Sequence, residues 1–107
     1  MDILNYSTAD GMSHDRIQGF LQDSRGMMWV CTWYGIDRFD GYDFVSFRPP
    51  EELDADSRFK DVFFMNDTLF IKTLNGRKLL FDMKGLGFEQ YTGSIPKNAR
   101  RLRRRLT

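Results

Sequence analysis

The chain has 107 residues and a formal net charge of +1, a length that suits one domain and leaves little room for two. Hydrophobic residues make up 41%, with ten Phe, four Tyr and two Trp, which is enough for a packed core and excludes wholesale disorder. From Lys97 onward there are six cations and no acid, leaving ten cations against fifteen acids in residues 1–96; a body of −5 bearing a tail of +6 argues against a nucleic-acid face on the folded part.

In chain order, Met1 to Tyr6 shows neither a cationic region nor a long apolar run and does not read as a secretory signal. On that reading the chain expressed as given stays cytoplasmic, and an exported parent would need a signal elsewhere. Strands are expected at about 16–22, 27–33, 35–39 and 43–47, rich in aromatic and β-branched residues and separated by turn residues. Asp23-Ser24-Arg25-Gly26 reads as a hairpin loop with Gly where φ is positive, and Asp40-Gly41 as a tight turn. Pro49 to Asp56 reads as a linker, because proline cannot donate to a ladder and the charges favour water. Four more strands follow at about 59–65, 68–73, 78–83 and 87–91, with Asn66-Asp67 and Asn75-Gly76 as turns. Residues 97–107 read as an irregular basic tail; over 97–106 a helix would have only a thin stripe of Leu102 and Leu106. No segment approaches the roughly 20 apolar residues of a membrane span.

The two sets of four strands are copies of one another, and a period of about forty residues points to a repeat architecture. Trp29 answers to Phe70, Val30 to Ile71, Thr32 to Thr73 and Gly35 to Gly76, all at an offset of 41. Phe39 answers to Phe81, Phe44 to Phe88 and Phe47 to Tyr91, while Ile17–Leu21 is matched to Asp61–Met65. Strand 27–32 is apolar on both sides, with Met27, Trp29 and Cys31 pointing one way and Met28 and Val30 the other. Such strands need cover on both faces, which radially stacked sheets supply.

Within residues 6–47 the run Asp23, Gly26, Trp29-Val30, Thr32, Gly35-Ile36, Arg38-Phe39-Asp40-Gly41 and Phe44 resembles the two-component regulator propeller repeat. The second copy departs from it, with Phe70 for the Trp and a shorter loop at Asn66-Asp67. The resemblance implies an all-β fold of two consecutive four-stranded antiparallel β-propeller blades, a partial propeller, with blade 1 at about 6–48, a linker at 49–57, blade 2 at about 58–93 and the tail from 97. It implies structural duties for Asp23, Gly26, Trp29, Thr32, Gly35, Asp40, Gly41 and Phe44: Trp29 fills the wedge between blades, the glycines hold turns and Thr32 hydrogen-bonds near a strand end. Members of that family form periplasmic sensor regions of bacterial hybrid two-component kinases, often of Bacteroidetes, that respond to polysaccharide breakdown products. The kinase and DNA-binding parts lie elsewhere in such proteins.

Chemistry-bearing residues are sparse. Asp37, Asp40 and Asp43 have the close spacing of a calcium loop, but turn and surface roles are the expectation. His14, the single histidine, has no nucleophile that must lie near it, and Cys31 is expected as a buried inert thiol. No catalytic residue, metal site or cofactor is assigned, and no enzyme is expected. Trp33 and Tyr34 stand at a turn where aromatic rings can stack on sugar or anchor a partner; the alternative is packing on the adjacent blade. Two functions are carried forward: a fragment of an extracytoplasmic sensor, with a carbohydrate as candidate ligand, and a stand-alone assembly module. Self-association or further blades are the expected partners, through faces carrying Trp29 and Phe70. Nucleic-acid binding by the arginine tail would be nonspecific and salt-sensitive.

Overall fold

A computed structural model describes residues 9, 12, 16–49 and 57–104. His14, Asp54, Asp56, Arg105 and most of the linker lie outside the described residues. The described part is all-β, in two antiparallel sheets. The first contains β1 (Ile17–Gln22), β2 (Met28–Thr32), β3 (Ile36–Phe39) and β4 (Phe44–Phe47) in the order β1-β2-β3-β4. The second contains β5 (Phe59–Met65), β6 (Thr68–Thr73), β7 (Lys78–Asp82), β8 (Gly87–Gln90) and the short β9 (Arg100–Arg101), in the order β8-β7-β6-β5-β9. Every expected strand is present within a residue or two.

Turn chemistry sets these hairpins. Gly26 and Gly41 have φ of 87° and 108°, a region that costs a residue with a Cβ. Asn66 and Asp67 both take left-handed φ, 51° and 57°, as a two-residue hairpin turn with the twist of its strands requires. Both sheets slip register at the same place: between Ile17 and Gly19 in β1, and between Phe59 and Asp61 in β5. The bulge makes Gly19 the counterpart of Asp61 and Phe20 the counterpart of Val62. The expected pairing of Ile17–Leu21 with Asp61–Met65 is therefore two residues out, because the short Asn66-Asp67 turn replaces a longer loop in the first copy. The Gly35–Gly76 match also shifts. Thr32 N–H donates to the Gly35 carbonyl and Thr73 N–H to that of Arg77, so the extra residue of the second copy precedes β7, and Gly76 sits inside its turn with φ 85°.

The sheets pack head to tail. One face of the first sheet presents Trp29, Cys31 and Ile36, with Leu21 and Phe47 beside them. It meets the face of the second sheet that presents Phe59, Val62, Leu69, Ile71 and Phe81, with Phe88. The repeat equivalents of that second set are Ile17, Phe20, Met28, Val30, Phe39 and Phe44, and they form a separate cluster with Met12 on the far face of the first sheet. The equivalent of Trp29, Phe70, lies on the far face of the second sheet, edge-on to Tyr91 at 5.6 Å. Trp29 thus faces the inter-sheet core and Phe70 does not; equivalent positions point the same way around the stack. This arrangement is consistent with two consecutive blades of a partial propeller and differs from a two-fold sandwich, in which equivalent faces meet.

The basic tail departs from expectation. Extended rather than irregular or helical, Arg100 and Arg101 pair antiparallel with Phe64 and Phe63 of β5. Leu102 N–H then donates to the Val62 carbonyl at 3.0 Å, and the Arg103 carbonyl accepts from Phe20 N–H of β1 at 2.8 Å. Leu102 is buried in the inter-sheet core. Its Cβ lies where a Cβ on Gly19 would come within 2.6 Å, so glycine in β1 is what admits the strand; Gly inside a strand marks such an approach.

Two stability outcomes are expected from chemical denaturation. Trp29→Ala should cost about 3–5 kcal/mol, since the ring is fully buried and truncation leaves a large cavity. Gly19→Ala should cost roughly 1–3 kcal/mol through overpacking. Repeated in a Leu102→Gly background, the same change should cost much less, because the two sites are in contact; equal costs would show that the clash is relieved elsewhere.

Candidate functional site

The Asp23–Gly26 loop shows why an acid, a glycine and a tryptophan stand three residues apart. Asp23 Oδ1 accepts from the backbone N–H of Arg25 at 2.9 Å and of Met27 at 3.0 Å. Its Oδ2 accepts from Trp29 Nε1 at 2.9 Å. The indole N–H, carried into the core with its ring, thereby keeps a partner. Burial alone would raise the Asp23 pKa, but the bonds from Trp29, Met27 and Arg25 together hold it below the usual carboxylate value.

At the opposite end of β2, Thr32 organises a corner. Its Oγ1 donates to the Gly35 carbonyl and accepts from the N–H groups of Gly35 and Tyr34. In the second sheet Thr73 Oγ1 donates its one proton to Asn75 Oδ1, lies 3.2 Å from the Arg77 carbonyl oxygen and accepts from Arg77 N–H. The first corner displays Trp33 and Tyr34, both half-buried and edge-to-face at 6.5 Å. The Trp33 carbonyl accepts from Phe59 N–H at 2.7 Å, and the Arg58 and Arg16 guanidiniums lie 4.4 and 5.6 Å from the Trp33 ring centroid. Arg58 belongs to the segment leading into the second sheet, so the Trp33 side of the corner is a junction between the sheets. The bulged Gln18 adds a bond from Nε2 to the Phe59 carbonyl at 2.8 Å.

The remaining motif acid, Asp40, accepts from the N–H of Tyr42 at 2.8 Å and of Asp43 at 2.9 Å. Those bonds, Asp43 first, lower its pKa. Asp82 repeats the arrangement one copy later, with bonds from Gly85 and Lys84 lowering its pKa. Phe44 stacks on Phe39 at 4.4 Å. Asp37 corrects the expectation of a surface role: it lies on β3 and is fully buried, opposite Val30 and Ser46. Cys31 is fully buried too, and burial, then the Asp37 charge, pushes its thiol far above the ordinary value. No cluster of three metal-ligating side chains occurs among the described residues, and no helix among them is long and apolar enough to cross a membrane.

Sequence reasoning missed the edge shared by β1, β5 and β9. There Arg101 Nη1 and Arg104 Nη2 lie 2.8 and 3.3 Å from Asp61 Oδ1. A cavity of about 340 Å³ opens beside them, lined by Phe20, Met28, Phe64, Arg100, Leu102 and Arg103 among others. The available signal was Gly19 in a strand and Leu102 among arginines.

A fold of two head-to-tail β-sheets of this kind is found in the extracellular domain of a hybrid two-component system. The crystal structure of the extracellular domain assigned to the hybrid two component system BT3049 from B. thetaiotaomicron superimposes with a TM-score of 0.63 at 19% sequence identity, covering 92% of this chain and 14% of that one. The chain therefore spans about a seventh of that solved extracellular domain. No family model matches the sequence, and no curated protein matches it.

Asp23→Asn should lower stability by roughly 1–3 kcal/mol at neutral pH, the range for disturbing a buried charged acceptor. The sign of the pH dependence follows from the lowered pKa. The Asp23 contribution is complete above its unfolded value of about 3.9 and is lost as pH falls through the lower folded value. Thermal melts between pH 2 and 6 should show a shallower acid limb for the variant.

Proposed function

We propose that the chain is part of the extracytoplasmic, periplasmic sensor propeller of a two-component regulatory system, serving ligand sensing or signal transmission without catalysis. The head-to-tail stacking supports this reading most directly. An interface that joins unlike faces of equivalent sheets repeats by rotation and generates a ring where the rotation closes, and a closed propeller typically needs 4–8 blades. The likeness in fold to the BT3049 extracellular domain gives the reading its biological class. The polar motif residues Asp23, Thr32 and Asp40 hold turns through their own bonds, so a ligand has to be read by residues outside the motif. Trp33 and Tyr34 are the proposed contact, and an oligosaccharide is the proposed ligand, because the face of an aromatic ring stacks on the apolar face of a sugar ring.

A second reading, an assembly module, is favoured by the far face of the first sheet. Phe20, Met28, Val30 and Phe39 form a cluster there that repeats the composition of the inter-sheet core; it is buried together with Met12, and another blade would take the place of that cover.

Two measurements separate these. Screening the chain on an array of oligosaccharides should find a retained sugar whose binding is lost in Trp33→Ala/Tyr34→Ala; no retention, or retention that survives the double change, overturns the assigned contact. Light scattering after size exclusion should show mass rising above the 12.7 kDa chain with concentration if the module reading holds. A constant monomer mass removes that reading.

A further inference from the structure

We propose that the cavity between β1, β5 and the C-terminal strand binds a small organic carboxylate with an apolar body. At about 340 Å³ it sits at the small end of the ligand-pocket range of about 300–1,000 Å³, the size of one ring or a short acyl chain. Its lining is mixed, and its apolar part comes from both sheets: Phe20 and Met28, both buried, from the first, beside Gln22, and Phe64 from the second, with Leu102 from the strand that joins them.

The charge at this cavity is of one sign. Arg101 and Arg104 are held by Asp61. Arg100 and Arg103 also line the cavity or its rim, and neither has an acidic partner among the described residues. The Arg100 guanidinium rests 5.9 Å from the Phe64 ring centroid, which holds it over the apolar wall. A guanidinium beside an apolar wall suits a carboxylate, which it can bind through two parallel hydrogen bonds. The apolar walls call for more than a bare anion, and the paired charges call for more than a hydrocarbon. The tail thus uses its arginines in two ways, two to fasten the strand and two to face a ligand. This site is separate from Trp33 and Tyr34, so its failure leaves the sensor reading untouched.

The test uses the full chain and calorimetric titration with octanoate, octanamide and acetate at one fixed salt concentration. Octanoate should bind at least about tenfold more tightly than octanamide, the difference expected for one charge-assisted hydrogen bond, and acetate should bind more weakly still. Arg100→Gln/Arg103→Gln should lose at least about tenfold in octanoate affinity with an unchanged melting temperature, since both side chains are exposed. Equal binding of octanoate and octanamide would reduce the site to an apolar patch. Equal binding of acetate and octanoate, or tighter binding of single-stranded DNA that octanoate does not displace, would reduce it to a nonspecific cationic surface. Either result overturns the proposal, as does the absence of octanoate binding. The comparison of octanoate with octanamide in the unaltered chain stands even if the double variant fails to fold.

Discussion

The indole of Trp29 has to leave water completely and still find a partner for its N–H, and much of the structure follows from that requirement. The ring lies 6.3 Å from Phe47 of its own sheet and 6.0 Å from Phe81 of the next, so it is buried only when two sheets are stacked. Its N–H reaches back to Asp23. That acid must therefore stand at the start of the preceding loop, with two backbone N–H groups to complete its shell. Gly26 allows the loop to close at that length. A buried aromatic, an acid six residues earlier and a glycine between them are one device for wedging one sheet against another.

Direction is the second consequence. Because the Trp29 face meets the Leu69 and Ile71 face, the next Trp29-like position, Phe70, points away from the first sheet. Stacking of this kind leaves one unlike face at each end. The two ends have been treated differently by the sequence. On the first sheet the far face is Phe20, Met28, Val30 and Phe39, buried together with Met12. On the second sheet the positions of Cys31 and Ile36 are taken by Lys72 and Lys78, and there the chain folds over itself. Lys78 Nζ donates to the Gly93 carbonyl, and Tyr91 OH donates to the Ser94 carbonyl at 2.6 Å.

Aromatic and β-branched content and turn pairs made the eight main strands legible, since each hairpin is specified within a few residues of itself. Two-sided burial was legible as well, from the unbroken apolar run around Trp29. Exact equivalence was not. A bulge at Gln18 and Lys60 and a loop of different length shift the frame by one or two residues, and similarity of side chains cannot locate such a shift where Phe and Val substitute for each other. The tail was illegible for a different reason. Its pairing joins residues some forty and eighty positions apart in sequence, and composition records six cations without recording that Asp61 fastens two of them. Asp37 was misplaced because a carboxylate beside Arg38 in a four-residue strand reads as solvated, whereas Asp37 on β3 is fully buried.

The C-terminal strand gives the molecule a feature that neither copy of the repeat contains. Arg103 accepts from β1 while Leu102 donates to β5, so one short segment ties the first strand of each sheet to the other, independently of the core. With exposed backbone on the first strands, the edge would otherwise be free to pair with another chain. Leu102 fits only because Gly19 has no side chain, and Asp61, the counterpart of Gly19 in the second copy, is the acid that fastens the strand. Repeat-equivalent positions have thus diverged into a hole and a clamp for the same segment. At Gly19 and Asp61 the inner edge has changed without loss of the fold, because both positions meet a segment that belongs to neither copy.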